Sequence, residues 1–347
     1  MNRFAFMAAA LLAAGSAFAQ SSVTIYGIAD GGIEYSDPRD GGATTSVISG
    51  GRSGSRLGFR GNEDLGGSLS AQFVLEQGYS IDDGTLRQGG RTFGRQAYVA
   101  LRGGLGTVAV GRLASFSSGT GSFDFVGDLD AMLTSYGIAS VGSTFSSANS
   151  LRADNTVLWA SPIVNGFRAG LAHSLQFDGE EVPDRSHNMH VTMAGLRYAE
   201  GPFAAALTYD VANNPDGGSD ESHLQLLAAY DFKVVKLYAG IALESNQFSP
   251  DFNVTGTTSG ADASAYMVGL SAPLGSGTFR VSWQSRDADR VDDDERDLSL
   301  LSLAYEYPLS KRTSLYAVAN DVRGSHTFNN DPEFDRRVLT TGIYHRF

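Results

Sequence analysis

The chain closes on Leu339-Thr340-Thr341-Gly342-Ile343-Tyr344-His345-Arg346-Phe347, in which Leu339, Thr341, Ile343, His345 and Phe347 share one strand face. Chain ends of soluble domains usually fray. An alternating strand that runs to a terminal aromatic instead asks for a partner along its whole length. In a closed β-barrel the last strand pairs with the first, and its outward face stays apolar to the end because lipid satisfies no backbone polar group. The closing Phe347 then belongs to an interfacial aromatic girdle.

The other end carries Arg3, an apolar stretch from Phe4 to Ala14, and Ala17-Phe18-Ala19 before Gln20. That order is a cleavable secretory signal over residues 1–19, which leaves 20–347 as one mature domain. Beyond it no run approaches the roughly 18 apolar residues that a spanning helix requires. Gly is abundant at 42 residues, with 20 Phe and 14 Tyr, a composition suited to strands that are apolar on one face only. Cysteine is absent, so no disulfide framework holds this exported chain. A net charge of −12 opposes nucleic-acid binding.

Period-two alternation recurs along the chain. Phe203, Ala205, Leu207, Tyr209 and Val211 interleave with Ala204, Ala206, Thr208 and Asp210, and Leu237, Ala239, Ile241 and Leu243 with Tyr238, Gly240, Ala242 and Glu244. Strands are expected near 23–35, 52–62, 68–80, 90–103, 105–113, 152–161, 167–178 and 187–199. The second half adds 202–213, 222–234, 235–247, 261–274, 277–289, 297–309, 312–325 and 336–347. These sixteen segments make an even number, as in bacterial single-chain barrels. Short turns such as Gly103-Gly104-Leu105-Gly106 and Gly275-Ser276-Gly277 alternate with longer polar loops, among them 36–51, 248–260 and 287–296. The fold class is an all-β transmembrane antiparallel barrel of about 16 strands. One connection, 113–151, is far longer than the rest, and loops of that length are functional or disordered.

The run Ser55-Arg56-Leu57-Gly58-Phe59-Arg60-Gly61-Asn62-Glu63-Asp64-Leu65-Gly66-Gly67 closely resembles the general porins of Gram-negative bacteria, in particular the trimeric 16-stranded porins of β-proteobacteria. Val23-Thr24-Ile25-Tyr26-Gly27, Arg95-Gln96-Ala97-Tyr98-Val99-Ala100-Leu101, Gly106-Thr107-Val108-Ala109-Val110-Gly111-Arg112, Arg152-Ala153-Asp154-Asn155-Thr156-Val157-Leu158-Trp159 and the last six residues follow in the same order. The resemblance implies a general diffusion porin of the cell outer membrane: a water-filled channel for ions and small hydrophilic solutes, without cofactor. It implies a homotrimer, and contact with outer-membrane lipid, lipopolysaccharide and the barrel-assembly machinery through the strand ending in Phe347. It also implies that the third long loop, 113–151, folds inward and narrows the lumen.

Arg56, Arg95 and Arg152 match the basic wall of the family's constriction. Alternation puts Arg56 and Arg60 inward, opposite Leu57 and Phe59. An outward Tyr98 would leave Arg95 inward, and Arg152 shares a face with Thr156 opposite Val157 and Trp159. Asp124, Asp128 and Asp130 are candidates for the facing acidic side, although Phe123-Asp124-Phe125-Val126-Gly127-Asp128 departs from the family's loop motif. Rings of charged side chains select ions by sign. The competing reading is of ordinary solvated lumen charges, or of pairing with Glu76 on the next strand. Asp292-Asp293-Asp294-Glu295 reads as a hydrated loop tip, with a divalent-cation bridge to lipopolysaccharide as the alternative. The arginines argue for anion preference, the net charge for cations, and the balance leans to anions. Small residues expected to face outward, Ala71, Ala100 and Ala109, agree with close packing of copies.

An enzyme finds no support. His187 and His190, three apart, fall on opposite strand faces, and no Gly-x-Ser-x-Gly or His-Glu-x-x-His motif occurs. Two other channel or surface functions stay open. A substrate-selective channel would need an aromatic slide, for which Tyr238 is the one candidate, or clustered cations for phosphate. A surface-display barrel would be narrow, whereas sixteen strands leave an aqueous lumen.

Overall fold

The computed structural model describes residues 22–347 except 40, 146–151, 216, 248–260, 290–296 and 325–334. The expected signal segment 1–19 and the acidic run 292–295 lie outside the described residues. The strands are β1 (Ser22–Pro38), β2 (Thr44–Ser49), β3 (Arg56–Gly66), β4 (Leu69–Gly78), β5 (Gln96–Gly103) and β6 (Gly106–Ala114). They continue as β7 (Arg152–Ala160), β8 (Phe167–Ser174), β9 (Val191–Glu200), β10 (Phe203–Ala212), β11 (Glu221–Asp231) and β12 (Lys236–Gln247). The last are β13 (Ala261–Leu274), β14 (Gly277–Asp289), β15 (Leu298–Pro308), β16 (Thr313–Gly324) and β17 (Arg336–Arg346).

Neighbouring strands pair antiparallel, and β17 closes on β1 with Ile28 opposite Arg346 and Pro38 opposite Arg336. Phe347 completes the seam. Its N–H donates to the Gly27 carbonyl at 3.1 Å, and its own carbonyl accepts the Gly27 N–H at 3.2 Å. Closure removes both sheet edges, which is what lets strands sit in lipid.

Seventeen strands make sixteen staves, because β2 and β3 both pair with β1 and together form one broken stave. The expected loop 36–51 thus contains strand Thr44–Ser49, and the expected second strand begins at Arg56 rather than 52. Residues 41–55 show no apolar alternation because the break is held by polar contacts. The buried Asp30 carboxylate accepts the N–H of Arg52 at 2.9 Å, that of Ser53 at 2.6 Å and the Tyr316 hydroxyl at 2.7 Å.

The alternation resolves into an apolar outer face and a mixed inner one. Leu207, Leu237, Trp283, Leu339 and Ile343 are exposed, whereas the interleaved Thr208, Tyr238, Gln284 and Thr340 are buried. On a water-facing surface this belt would be a large association patch; around a closed barrel it faces hydrocarbon. In β5 the expected sense is inverted. Tyr98 is 6% exposed and Val99 64%, so Tyr98 and Ala100 point inward, and Tyr98 packs on Phe123 with ring centroids 5.6 Å apart. Ala109, between exposed Val108 and Val110, also points inward. Of the three small residues only Ala71, paired with exposed Leu101, faces out. Apolarity could not orient β5, because the residues it presents to the lumen are covered by other protein.

That cover is the segment following β6. Phe116, Phe125, Leu129, Ala131 and Phe145 are fully buried against inward-facing staves. Their seats are glycines. A Cβ at Gly170 would stand 2.4 Å from the Phe116 ring, and one at Gly269 would stand 2.5 Å from Ala131. Gly195 lies under Phe116 and Phe125, and Gly240 under Phe145. Burial of each phenylalanine stabilises the docked segment by about 1.5–3 kcal/mol.

Candidate functional site

The docked segment packs along the arc from β8 to β16 and, through Phe123, on Tyr98 of β5, and it leaves the inner wall uncovered around the arginines. Its course is pinned by polar contacts at intervals. Arg280 donates to the Ala131 carbonyl at 3.0 Å, Gln284 to the Ala139 carbonyl at 2.8 Å, and Arg286 to the Thr144 carbonyl at 3.1 Å. At its far point the Tyr136 N–H donates to the Arg52 carbonyl at 2.8 Å, and the Tyr136 hydroxyl donates to Glu306 at 2.6 Å.

Facing the segment, Arg95 Nε donates to Glu76 Oε1 at 2.7 Å, both side chains being almost fully buried. Tyr26 supplies the second hydrogen bond to that carboxylate at 3.0 Å. Arg95 precedes β5, so strand parity does not govern it; the Glu76 pair turns it inward. Arg56 donates to the Gly54 carbonyl at 2.9 Å and to Ser53 Oγ at 2.8 Å. Arg152 donates to Thr120 Oγ1 at 3.0 Å. Among the described residues neither Arg56 nor Arg152 forms an ion pair. Their charge is therefore available to the lumen.

Two adjoining cavities of about 380 and 430 Å³ share Gly50, Gly54, Arg95 and Gly137. The larger is also lined by Arg52, Arg56 and Asp124, and the smaller by Arg87, Arg152 and Glu34. Five guanidinium groups and two carboxylates thus line the cavities; Arg95 is paired with Glu76 at 2.7 Å and Arg52 with Glu306 at 3.4 Å, which leaves Arg56, Arg87 and Arg152 facing Asp124 and Glu34.

The three loop aspartates separate. Asp124 lines the larger cavity, with Oδ1 accepting the Val126 N–H at 2.8 Å and Oδ2 the Gly127 N–H at 2.9 Å. Burial pushes its carboxyl above the ordinary carboxylate range, opposed by those two N–H groups. Asp128 faces away from the arginines and pairs through both oxygens with Arg197 on β9, at 2.8 Å each. Asp130 is fully buried and corrects the expectation of a lumen acid. Its oxygens accept the N–H groups of Met132 at 2.9 Å, Thr134 at 2.8 Å and Val141 at 3.1 Å. Burial raises its carboxyl as well, and it serves as the internal knot of the segment.

Comparison with known proteins gives this geometry its context. A family model described as Gram-negative porin matches residues 5–327. The chain belongs to the Gram-negative porins. It is 35% identical to an outer membrane porin protein of Bordetella pertussis over 98% of this chain and 99% of that protein. Outer membrane porin protein 32 of Delftia acidovorans is 33% identical over 89% of this chain and 86% of that one. The solved anion-selective porin from Comamonas acidovorans superposes with a TM-score of 0.76 at 26% identity, covering 94% of this chain and 100% of that one. The protein is an outer-membrane channel for passive diffusion of small hydrophilic solutes and ions, and porins are channels rather than enzymes.

Among the porin's cavity cations sequence reasoning missed Arg52 and Arg87, because both sit in Gly- and Ser-rich connections where no periodicity assigns a face. Arg52 is placed by the Asp30 contact and stacks over the Tyr136 and Tyr344 rings at 5.2 and 4.7 Å. Asp154 holds Arg91 at 2.8 Å and Arg112 at 2.6 Å. Tyr238 faces inward but is buried and bonded to Ser271 at 3.0 Å, so it forms no aromatic slide. His187 lies in a short 3-10 turn before β9, and no group of three metal-ligating side chains occurs among the described residues.

Proposed function

We propose that the aperture of this porin lies between Arg56, Arg95 and Arg152 on one side and the segment bearing Asp124 on the other, within an inward loop spanning about 113–151. Solutes pass it down their gradients, and anions pass more readily than cations. The observation that carries the reading is the excess of guanidinium over carboxylate groups around the two shared cavities. An anion within a few ångströms of an unpaired guanidinium gains about 1 kcal/mol even at the dielectric of water. The acidic net charge does not offset this, because charges more than about 10 Å from the ion path are largely screened at 0.1 M salt. The anion-selective porin of Comamonas acidovorans, matched over its whole length, supports the same sign.

The working unit is a homotrimer delivered by a cleaved signal over residues 1–19. Its partners are outer-membrane lipid, lipopolysaccharide and an assembly machinery that reads the strand ending in Phe347. The test is the reversal potential in planar bilayers across a KCl gradient for wild type and Arg56→Ala/Arg95→Ala. A fall in anion preference with conductance retained supports the aperture. Unchanged preference removes these arginines from it, and folded trimers without conductance overturn the open channel.

A further inference from the structure

The smaller of the two cavities carries opposite charges on opposite walls. Glu34 on β1 points inward between the exposed Ile33 and Tyr35, and its Oε2 accepts the hydroxyl of Thr340, its register partner on β17, at 3.1 Å. Among the described residues no cation stands within ion-pair distance of Glu34. Asn320 on β16 pairs with Val338, two positions along β17 from Thr340, and so lies diagonally beside Thr340 on the lumen face. The Asn320 side chain lines the cavity at 6% exposure, and its buried Oδ1 has no hydrogen-bond donor among the described residues. A buried acceptor that the protein leaves open calls for a donor from water or a guest. At the other pole stand Arg152 on β7 and Arg87 in the connection between β4 and β5. Two carboxylates act on these cations without contacting them. Asp83 acts on Arg87 but accepts the Thr85 N–H and hydroxyl at 2.9 and 2.7 Å; Glu76 acts on Arg152 but is held by Arg95 at 2.7 Å. Glu34 and Arg152 are five staves apart, with β3, β4, β5 and β6 between their strands.

We propose that this cavity is a binding vestibule for zwitterions of dipeptide size, in which Glu34 and the Asn320 amide take the ammonium and Arg87 and Arg152 take the carboxylate. A simple anion meets the arginines but is repelled by Glu34, and a simple cation meets the reverse. A zwitterion gains charge-assisted hydrogen bonds at both poles. A single α-amino acid carries both charges on one carbon and satisfies one pole at a time. A dipeptide carries them at its two ends, each residue adding at most about 3.6 Å of reach. Glu34 and Asn320 stand near the ends of β1 and β16, and Arg87 lies in the long connection 79–95, so the vestibule opens on the long-loop side of the aperture. The proposal rests on the open-channel reading and names a solute class for it, but it does not require the anion preference.

The test is block of KCl current by diglycine at about pH 6, where a peptide ammonium and carboxylate are both charged. Two analogues serve as controls: acetyl-diglycine keeps only the carboxylate, and glycylglycinamide only the ammonium. Diglycine is expected to block wild type at concentrations about tenfold lower than either analogue, the worth of one charge-assisted hydrogen bond. Glu34→Gln keeps an acceptor for the Thr340 hydroxyl and should remove the advantage of diglycine over acetyl-diglycine. Arg87→Gln/Arg152→Gln should remove its advantage over glycylglycinamide. Asn320→Leu gives up no hydrogen bond of the Oδ1 acceptor and should weaken diglycine block about threefold in a barrel as heat-stable as wild type. Equal block by the three peptides, or an advantage over acetyl-diglycine that survives Glu34→Gln, overturns the vestibule. Failure of the aperture reading would show instead in the reversal potential of Arg56→Ala/Arg95→Ala without peptide, and failure of the open channel as absence of KCl current.

Discussion

The two arcs of this barrel share one hydrogen-bonded ladder and one lipid-facing belt, yet their inner faces do opposite things. From β8 to β16 the inward positions include Gly170, Gly195, Gly240 and Gly269, and a segment with three buried phenylalanines lies against them. Around the cavities the inward positions of the other arc carry Glu76, Arg56, Arg95 and Arg152, and the segment touches this arc only beside them, where Phe123 covers Tyr98. The difference is one of desolvation. Covering a glycine-lined wall removes apolar surface from water, whereas covering unpaired guanidinium groups would strip charges of hydration at a cost no apolar contact repays. Side-chain size and charge on one face of the wall therefore decide where the segment lies and where water stays.

Variants that blur the packed arc should have the largest effect. Phe125→Ala removes the ring between Phe116, Gly195 and Arg168, and is expected to cost the docked segment roughly 3–5 kcal/mol. Single-channel records should become larger and noisier, and protease should cut within 115–145 while the wall stays folded. Quiet channels and a resistant segment would show that the arcs do not differ in this way. Asp130→Ala strands three buried N–H groups, each worth about 1–3 kcal/mol when unsatisfied. The same proteolysis assay should register it, while selectivity at low occupancy of the loosened state stays near wild type.

On the bare arc the effects are smaller and concern sign rather than folding. Arg152→Gln is expected to lower the chloride-to-potassium permeability ratio by roughly fivefold, the equivalent of about 1 kcal/mol for a charge beside the ion path. Asp124→Asn should raise it by only about twofold, since that carboxylate is partly neutralised by two N–H groups. The Asp124 carboxyl is lifted by burial, so it takes up its proton earlier than an ordinary carboxylate as pH falls. Anion preference should therefore rise on acidification, by less in Asp124→Asn than in wild type. An identical pH response in the two would exclude Asp124 from the aperture.

The legible part of the fold was everything governed by period two. Leu237, Leu243, Trp283 and the final strand ending in Phe347 took the faces their alternation predicts, and sixteen staves closed as counted. Tyr98 went the other way because an inward position covered by protein is as apolar as one facing lipid. The four inward glycines carried a signal that was present but unread: small residues on the lumen parity of otherwise bulky strands mark where another segment lands.

The sequence alone determined that the strands are apolar on one face and that they close into a barrel, since these follow from local composition and alternation. Only the tertiary structure decided which charges meet. It broke the second stave over Asp30 to present Arg52, turned Asp130 inside its own segment, gave Asp128 to Arg197, and left Arg56 and Arg152 without an ion pair among the described residues. Residues 30 and 197 acquire those roles from partners as many as 286 positions away, as between Asp30 and Tyr316. No pattern of neighbouring residues encodes a contact whose geometry exists only once the wall has closed.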